Sequence, residues 1–205
     1  IGVRLVGSEM CIRDRFTTRD LILCALFTAL SAIGAFIRIP VPLVPFTLQI
    51  TFTTLAGLLL GSKKGAISVA VYVLMGLIGI PVFTQGGGFS YVLKPSFGFL
   101  VAFIIGAFVT GLIVEKKQNP SFLRILGASF AGMAFVYVLG AIYFYIICNF
   151  VINAPVSIGK TVMSCFVLVA PGNIALAILA ALVAKRIIPI LNRQNQSTVP
   201  QPKTV

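Results

Sequence analysis

Two apolar runs meet across residues 81–95, P-V-F-T-Q-G-G-G-F-S-Y-V-L-K-P, a segment that cannot continue either run as a helix. Pro81 and Pro95 remove backbone donors, and the Gly86, Gly87, Gly88 triplet favours left-handed backbone. The flanking runs, up to Ile80 and from Ser96, are apolar enough for lipid. Irregular backbone at membrane depth leaves amides unpaired, and it survives only where protein buries it or it lines a wet cavity. The segment therefore reads as a sunken loop forming the floor or lid of a small-molecule site, with Thr84, Gln85, Tyr91 and Lys94 as its polar groups. The plainer reading is an ordinary surface loop.

With 59% hydrophobic and 10% charged residues, the 205-residue chain lacks the polar surface of a soluble domain of its size. The fold class expected is an all-α, multi-pass membrane protein: one bundle of six transmembrane helices of roughly 20 residues each, in a single domain over residues 21–191. Residues 1–20 carry five charges between Glu9 and Arg19 and no periodicity, so they are expected to be a poorly ordered or non-native amino-terminal tail. Residues 192–205, rich in Gln, Pro and Ser, are expected to be a disordered cytoplasmic tail.

The spans are placed at Leu21 to Ile37, Phe46 to Leu60, Ala66 to Ile80, Ser96 to Val114, Leu123 to about Phe150, and Thr161 to Leu191. Pro40, Pro42 and Pro45 enforce an extended connection after the first, and G-S-K-K-G joins the second to the third. The second and third are short for a bilayer, so the sunken segments must complete their outer ends. The last two are long, which implies tilt or projection past the lipid. Thirteen of the sixteen Lys and Arg fall on the side of the termini and the even loops. Only Arg38, Lys94 and Lys160 fall on the other, which places both termini in the cytoplasm and the sunken loop between the third and fourth helices outside. The net charge of +12 is thus a membrane-orientation signal rather than a nucleic-acid footprint.

No histidine occurs, and the acids Glu9, Asp14, Asp20 and Glu115 all sit in tails or loops. An intramembrane proton relay therefore has no residues to use, and no metal site or cofactor is expected. No nucleophile with a base and no paired carboxylates appear, so the chain is not expected to be an enzyme. The stretch A-P-V-S-I-G-K-T, Ala154 to Thr161, misses a nucleotide loop by its first glycine and follows no strand. Cys11, Cys24, Cys148 and Cys165 form no C-x-x-C, and free buried thiols are favoured over a Cys148–Cys165 bridge.

The outward side holds three cations and no acid, so each either snorkels to water or meets a ligand anion; Lys94 is the first candidate and Arg38 the second. Gln49 and Asn173 are amides in apolar surroundings, suited to a neutral heterocycle or to a bond between helices. Pro171 and Gly172 are expected to open the sixth helix. Small-residue pairs, Ala25 with Ala29, Gly57 with Gly61 and Ala177 with Ala181, let helices approach closely within the bundle, and the first pair equally suits a partner protein.

I-P-V-P-L-V-P-F-T-L-Q (39–49), L-A-G-L-L-L-G-S-K-K-G-A (55–66), V-Y-V-L-M-G-L-I-G-I-P-V-F (71–83), G-G-G-F-S-Y-V-L-K-P-S-F-G-F-L (86–100) and P-G-N (171–173) resemble, in order, the BioY family. These are biotin-specific substrate-binding subunits of energy-coupling-factor (ECF) transporters. The resemblance implies high-affinity capture of extracellular biotin in the outer half of a six-helix bundle in the cell membrane. It also implies partners: a transmembrane coupling subunit, contacted here through Ala25 and Ala29, and two cytosolic ATPase subunits. The family pattern in the sixth helix resembles P-G-D-x-x-K, whose acid and lysine contact biotin, whereas this chain has Asn173 and Leu176. Asparagine still suits the ureido ring, but leucine cannot pair the valerate carboxylate, a loss of about 1.5 to 3 kcal/mol unless another cation substitutes. Lys94 is the expected substitute; a relative such as dethiobiotin is the alternative ligand. The rival to an importer subunit is a self-sufficient facilitator, which would move substrate without partners.

Overall fold

A computed structural model describes residues 17–39, 46–117 and 119–197 of the chain. Apart from one two-residue β-pairing the described residues are helical or in loops, and four helical stretches are long and apolar enough to cross a membrane: Thr18–Phe36, Phe97–Glu115, Phe122–Val151 and Ile158–Leu191. Large aliphatic side chains such as Leu26, Val138 and Leu179 stay exposed along them, as a lipid-facing surface requires. The expected tails lie mostly outside the described residues, as does the proline-rich connection from Pro40 to Pro45.

Helix α1, Thr18–Phe36, begins slightly before the expected span because Thr17 and Asp20 form a reciprocal capping box. The Thr17 hydroxyl accepts from Asp20 N at 3.2 Å, while Thr17 N donates to the Asp20 carboxylate at 3.0 Å. Asp20 also pairs with Lys64 at 2.7 Å, tying α1 to α3 (Ser62–Leu77). A polar seam continues that contact inward, with Thr28 Oγ1 donating to Ser68 O at 2.9 Å and Ser68 Oγ to Cys24 O at 2.8 Å. Strands β1 (Arg38–Ile39) and β2 (Phe46–Thr47) pair antiparallel and lead into α2, Gln49–Leu60.

The corner between α2 and α3 is Gly61 alone, not the expected G-S-K-K-G loop, so Lys63 and Lys64 are helical. Glu115, at the end of α4 (Phe97–Glu115), makes this possible. Its carboxylate accepts from Ser62 N at 2.6 Å and Ser62 Oγ at 2.7 Å, capping α3 from another helix. Gly61 has φ +86, and a Cβ there would strike that carboxylate.

Helix α4 packs on α5, Phe122–Ile146, through glycine: a Cβ on Gly132 would strike Thr110 Oγ1 and come within 2.8 Å of Gly106 O. After α5 a π-helical turn, Ile147–Val151, ends at a bend that Asn149 brackets. Its Nδ2 donates to Tyr145 O at 2.9 Å and Val156 O at 3.2 Å, and its Oδ1 accepts from Val156 N at 3.2 Å. The chain returns through α6 (Ile158–Val162), a second π turn (Met163–Val167) and α7 (Ala170–Ser197).

The irregularity expected at Pro171 therefore falls just before it. Proline has no N–H for the carbonyl of Val167, and Leu168 N instead donates to Met163 O at 3.1 Å, while Asn173 N resumes the α pattern on Val169 O. Helix α7 runs on to Ser197, so residues 192–197, assigned by sequence to the tail, are helical. Of the remaining small-residue pairs, Gly57 abuts the Ala107 backbone and Ala177 and Ala181 are buried, whereas Ala25 and Ala29 are exposed along a groove between α1 and α3. Cys24, Cys148 and Cys165 are buried free thiols.

Candidate functional site

The irregular segment after α3 is held in place by insertion of Phe83. Its ring, 1% exposed, packs against Tyr91 at 4.6 Å and Tyr72 at 5.6 Å between ring centroids, directly over Gly76. Gly86 and Gly88 both take φ +104, which closes a tight turn with Phe83 N on Gly86 O at 3.0 Å. The loop's polar backbone is met from the helices around it: Gly88 N donates to Gly76 O at 2.7 Å, Tyr72 OH to Val82 O at 3.1 Å and Tyr143 OH to Val92 O at 2.5 Å. A 3-10 turn, Phe89–Leu93, then carries Tyr91 inward ahead of α4.

Beneath this loop lies a narrow cavity with about 580 Å³ of atom-free space, its open mouth included. Phe99, Leu100 and Phe103 of α4 and Val136 of α5 form apolar walls, with Cys165 and Val169 closing the side next to α7. The polar lining comes from Thr47, Gln49, Thr84, Tyr91, Ser96 and Asn173, with the Tyr137 hydroxyl beside the last. Gln49, Thr84, Tyr91 and Asn173, singled out from sequence, are thus brought together.

Near the loop, three hydroxyls form a chain: Thr84 Oγ1 lies 3.0 Å from Tyr91 OH, and Ser96 Oγ donates to Tyr91 OH at 3.3 Å. Two amides are buried in the lining, one from α2 and one from α7. Gln49 is 2% exposed and Asn173 5%. Asn173 Nδ2 donates to the Tyr137 hydroxyl at 2.5 Å, but among the described residues neither Asn173 Oδ1 nor Gln49 Nε2 has a partner in good hydrogen-bond geometry, although Gln49 does interact with the Tyr72 hydroxyl. Leaving a buried donor or acceptor unpaired costs about 1 to 3 kcal/mol, so two in one wall are an unusual concentration of unmet polarity. A smaller void continues below Asn173, and Leu176 lines it together with Thr51, whose hydroxyl is also without a partner.

Among the described residues no charged side chain lines the cavity. Lys94, Gln85 and Arg38 form a layer outside its wall. Lys94 Nζ donates to Gln85 O at 3.1 Å and stands 4.8 Å from the Tyr91 ring centroid, and the Arg38 guanidinium donates to Thr84 O. These cations therefore brace the loop carbonyls, and between them and the cavity stand Thr84 and Tyr91. Sequence reasoning missed Ser96, which looks like a helix-start serine, and Tyr137, which looks like one more core aromatic.

An apolar, uncharged chamber with donor and acceptor groups in its lining, enclosed by membrane-length helices, defines a multi-pass membrane protein with a receptor cavity for a small molecule. The family model described as BioY family matches residues 10–193. The chain belongs to the BioY family. It is 43% identical over 171 residues to a probable biotin transporter BioY of Lysinibacillus sphaericus, covering 83% of this chain and 87% of the relative. It is 41% identical over 170 residues to the biotin transporter BioY of Thermotoga maritima, covering 82% and 95%. A crystal structure of the S-component for biotin from an ECF-type ABC transporter superposes with a TM-score of 0.72 at 30% identity, covering 84% of this chain and 94% of that one.

Proposed function

We propose that this chain captures biotin with high affinity as the substrate-binding subunit of an ATP-driven ECF importer in the cell membrane, without a cofactor of its own. The observation that carries the reading is the pair of buried amides, each with one polar atom unmet among the described residues. Biotin's ureido ring offers one carbonyl acceptor and two N–H donors; Gln49 Nε2 suits the carbonyl and Asn173 Oδ1 an N–H. The thiophane ring suits the walls of Phe99 and Phe103, and the valerate chain runs toward Thr84, Tyr91 and Ser96. Its carboxylate then meets hydroxyl donors backed by Lys94 and Arg38, in place of the lysine that Leu176 replaces.

In this reading six helical segments span the membrane with both termini in the cytoplasm, so the loop and the cavity mouth face outward, consistent with the distribution of Lys and Arg. The exposed Ala25 and Ala29 face of α1 is the contact for a transmembrane coupling subunit, and two cytosolic ATPase subunits supply the energy. Calorimetric titration of the purified chain in detergent tests the reading: biotin is expected to bind one to one without nucleotide or partners. Absence of binding would overturn it, and biotin uptake by vesicles containing this chain alone would favour the facilitator.

A further inference from the structure

A second cleft, remote from the cavity, opens where α5 begins and α7 nears its end. It has about 970 Å³ of atom-free space, open solvent included. Lys117, Arg124 and Lys185 surround it, and Ile125 and Ile188, 1% and 8% exposed, form its floor. Arg124 is held there because its Nε donates to Ile113 O at 2.9 Å. Ser121 caps α5 at the same place, so the positive end of a 25-residue helix adds to the three cations.

Nothing among the described residues neutralises this charge. Asp20 pairs with Lys64, and the Glu115 carboxylate is committed to Ser62. The place of the cleft also matters: the apolar spans Phe122–Val151 and Ile158–Leu191 begin and end beside it, so it lies at the boundary between apolar span and polar loop. Leu123 and Ile190, next in sequence to the lining residues Arg124 and Pro189, are 77% and 57% exposed. A site for a soluble anion has no use for such side chains, whereas a lipid presents phosphate and acyl chain together. We propose that this cleft binds the phosphate-bearing headgroup of an anionic membrane phospholipid, with Lys117, Arg124 and Lys185 on the phosphate and the apolar side chains against glycerol and acyl carbons. The ligand of the main cavity plays no part in this argument.

Native mass spectrometry of the full chain in detergent, with phosphatidylglycerol or phosphatidylcholine added, tests it. Phosphatidylglycerol adducts are expected to persist where phosphatidylcholine adducts do not, and the double variant K117Q/K185Q is expected to retain them roughly tenfold less or worse. K116Q/R186Q removes the same charge from residues that do not line the cleft and is expected to behave as the parent. Arg124 is left in place because it also anchors α4. Equal retention of the two lipids, or equal loss in both double variants, would overturn the proposal. So would displacement of the lipid by low-millimolar inorganic phosphate, which would assign the cleft to a free anion. Undiminished lipid binding by K117Q/K185Q together with lost co-purification of an ATPase-bearing partner would assign it to an acidic protein surface instead. Should the double variant not fold, the parent decides: raising salt from about 0.05 to about 0.5 M must release phosphatidylglycerol selectively, and indifference to salt would sink the idea.

Discussion

Asn173 donates through Nδ2 to the Tyr137 hydroxyl at 2.5 Å, and this bond between α7 and α5 leaves Asn173 Oδ1 in the cavity lining as an acceptor with no partner among the described residues. An amide free to turn would present oxygen and nitrogen to a ligand with equal ease. One held by a phenol is fixed in position, and with its Nδ2 on the Tyr137 oxygen it turns an acceptor toward the ligand.

Tyr137→Phe is therefore expected to weaken biotin binding about 3- to 30-fold while leaving the fold intact, since only one hydrogen bond is removed. Calorimetry combined with a thermal melt in detergent separates the two effects. A loss of stability with unchanged affinity would make Tyr137 a packing residue only.

Lys94→Ala is expected to cost less than loss of either buried amide, about 3- to 10-fold in affinity, because its ammonium is exposed and sits behind Tyr91 on Gln85 O. The loss should shrink as ionic strength rises, and biotin methyl ester, lacking the carboxylate, should distinguish parent from variant less than biotin does, the remainder reporting the bond to Gln85 O. A methyl ester that distinguishes the two as strongly as biotin does would mean that Lys94 acts by bracing the loop rather than on the ligand's charge.

Phe83→Ala removes the ring that pins the loop over Gly76, and is expected to destabilise the protein by about 3 kcal/mol and to raise the dissociation rate of biotin at least tenfold. Thermal unfolding and stopped-flow exchange of a labelled biotin report the two quantities. Normal release kinetics would show that the loop does not govern the cavity mouth.

Much of this arrangement was legible in the chain. Pro81, the glycine triplet and Pro95 announced a non-helical segment, and amides as isolated as Gln49 and Asn173 suited either a neutral ligand or a bond between helices, of which Asn173 makes the second to Tyr137. What was not legible depends on partners distant in sequence. Ser62 starts a helix straight after Gly61 because Glu115 reaches it across the bundle, which no local pattern encodes. The sequence makes Lys94 and Arg38 candidates because a charge needs a counter-charge, but the loop carbonyls that meet both of them come from a turn no local pattern encodes. Tyr137 carries a polar atom on an aromatic body, and only the register of α5 against α7 shows which half is used.

Gly61→Ala forces a side chain into left-handed backbone and against the Glu115 carboxylate. It is expected to lower stability by about 2 kcal/mol or more, read as a thermal shift, with biotin affinity nearly unchanged because the corner lies away from the cavity. A neutral result would mean that the corner relaxes without cost.

The most direct test of the central claim is calorimetric titration of biotin into the Gln49→Leu, Asn173→Leu double variant beside the parent protein, both checked for folding by thermal melt. Two buried amides that meet the ureido ring predict a loss of at least about 100-fold in affinity, with the fold retained and a melting temperature near the parent's, since removal of two unmet polar atoms offsets loss of the Asn173–Tyr137 bond. A folded double variant that binds biotin as tightly as the parent would contradict the account.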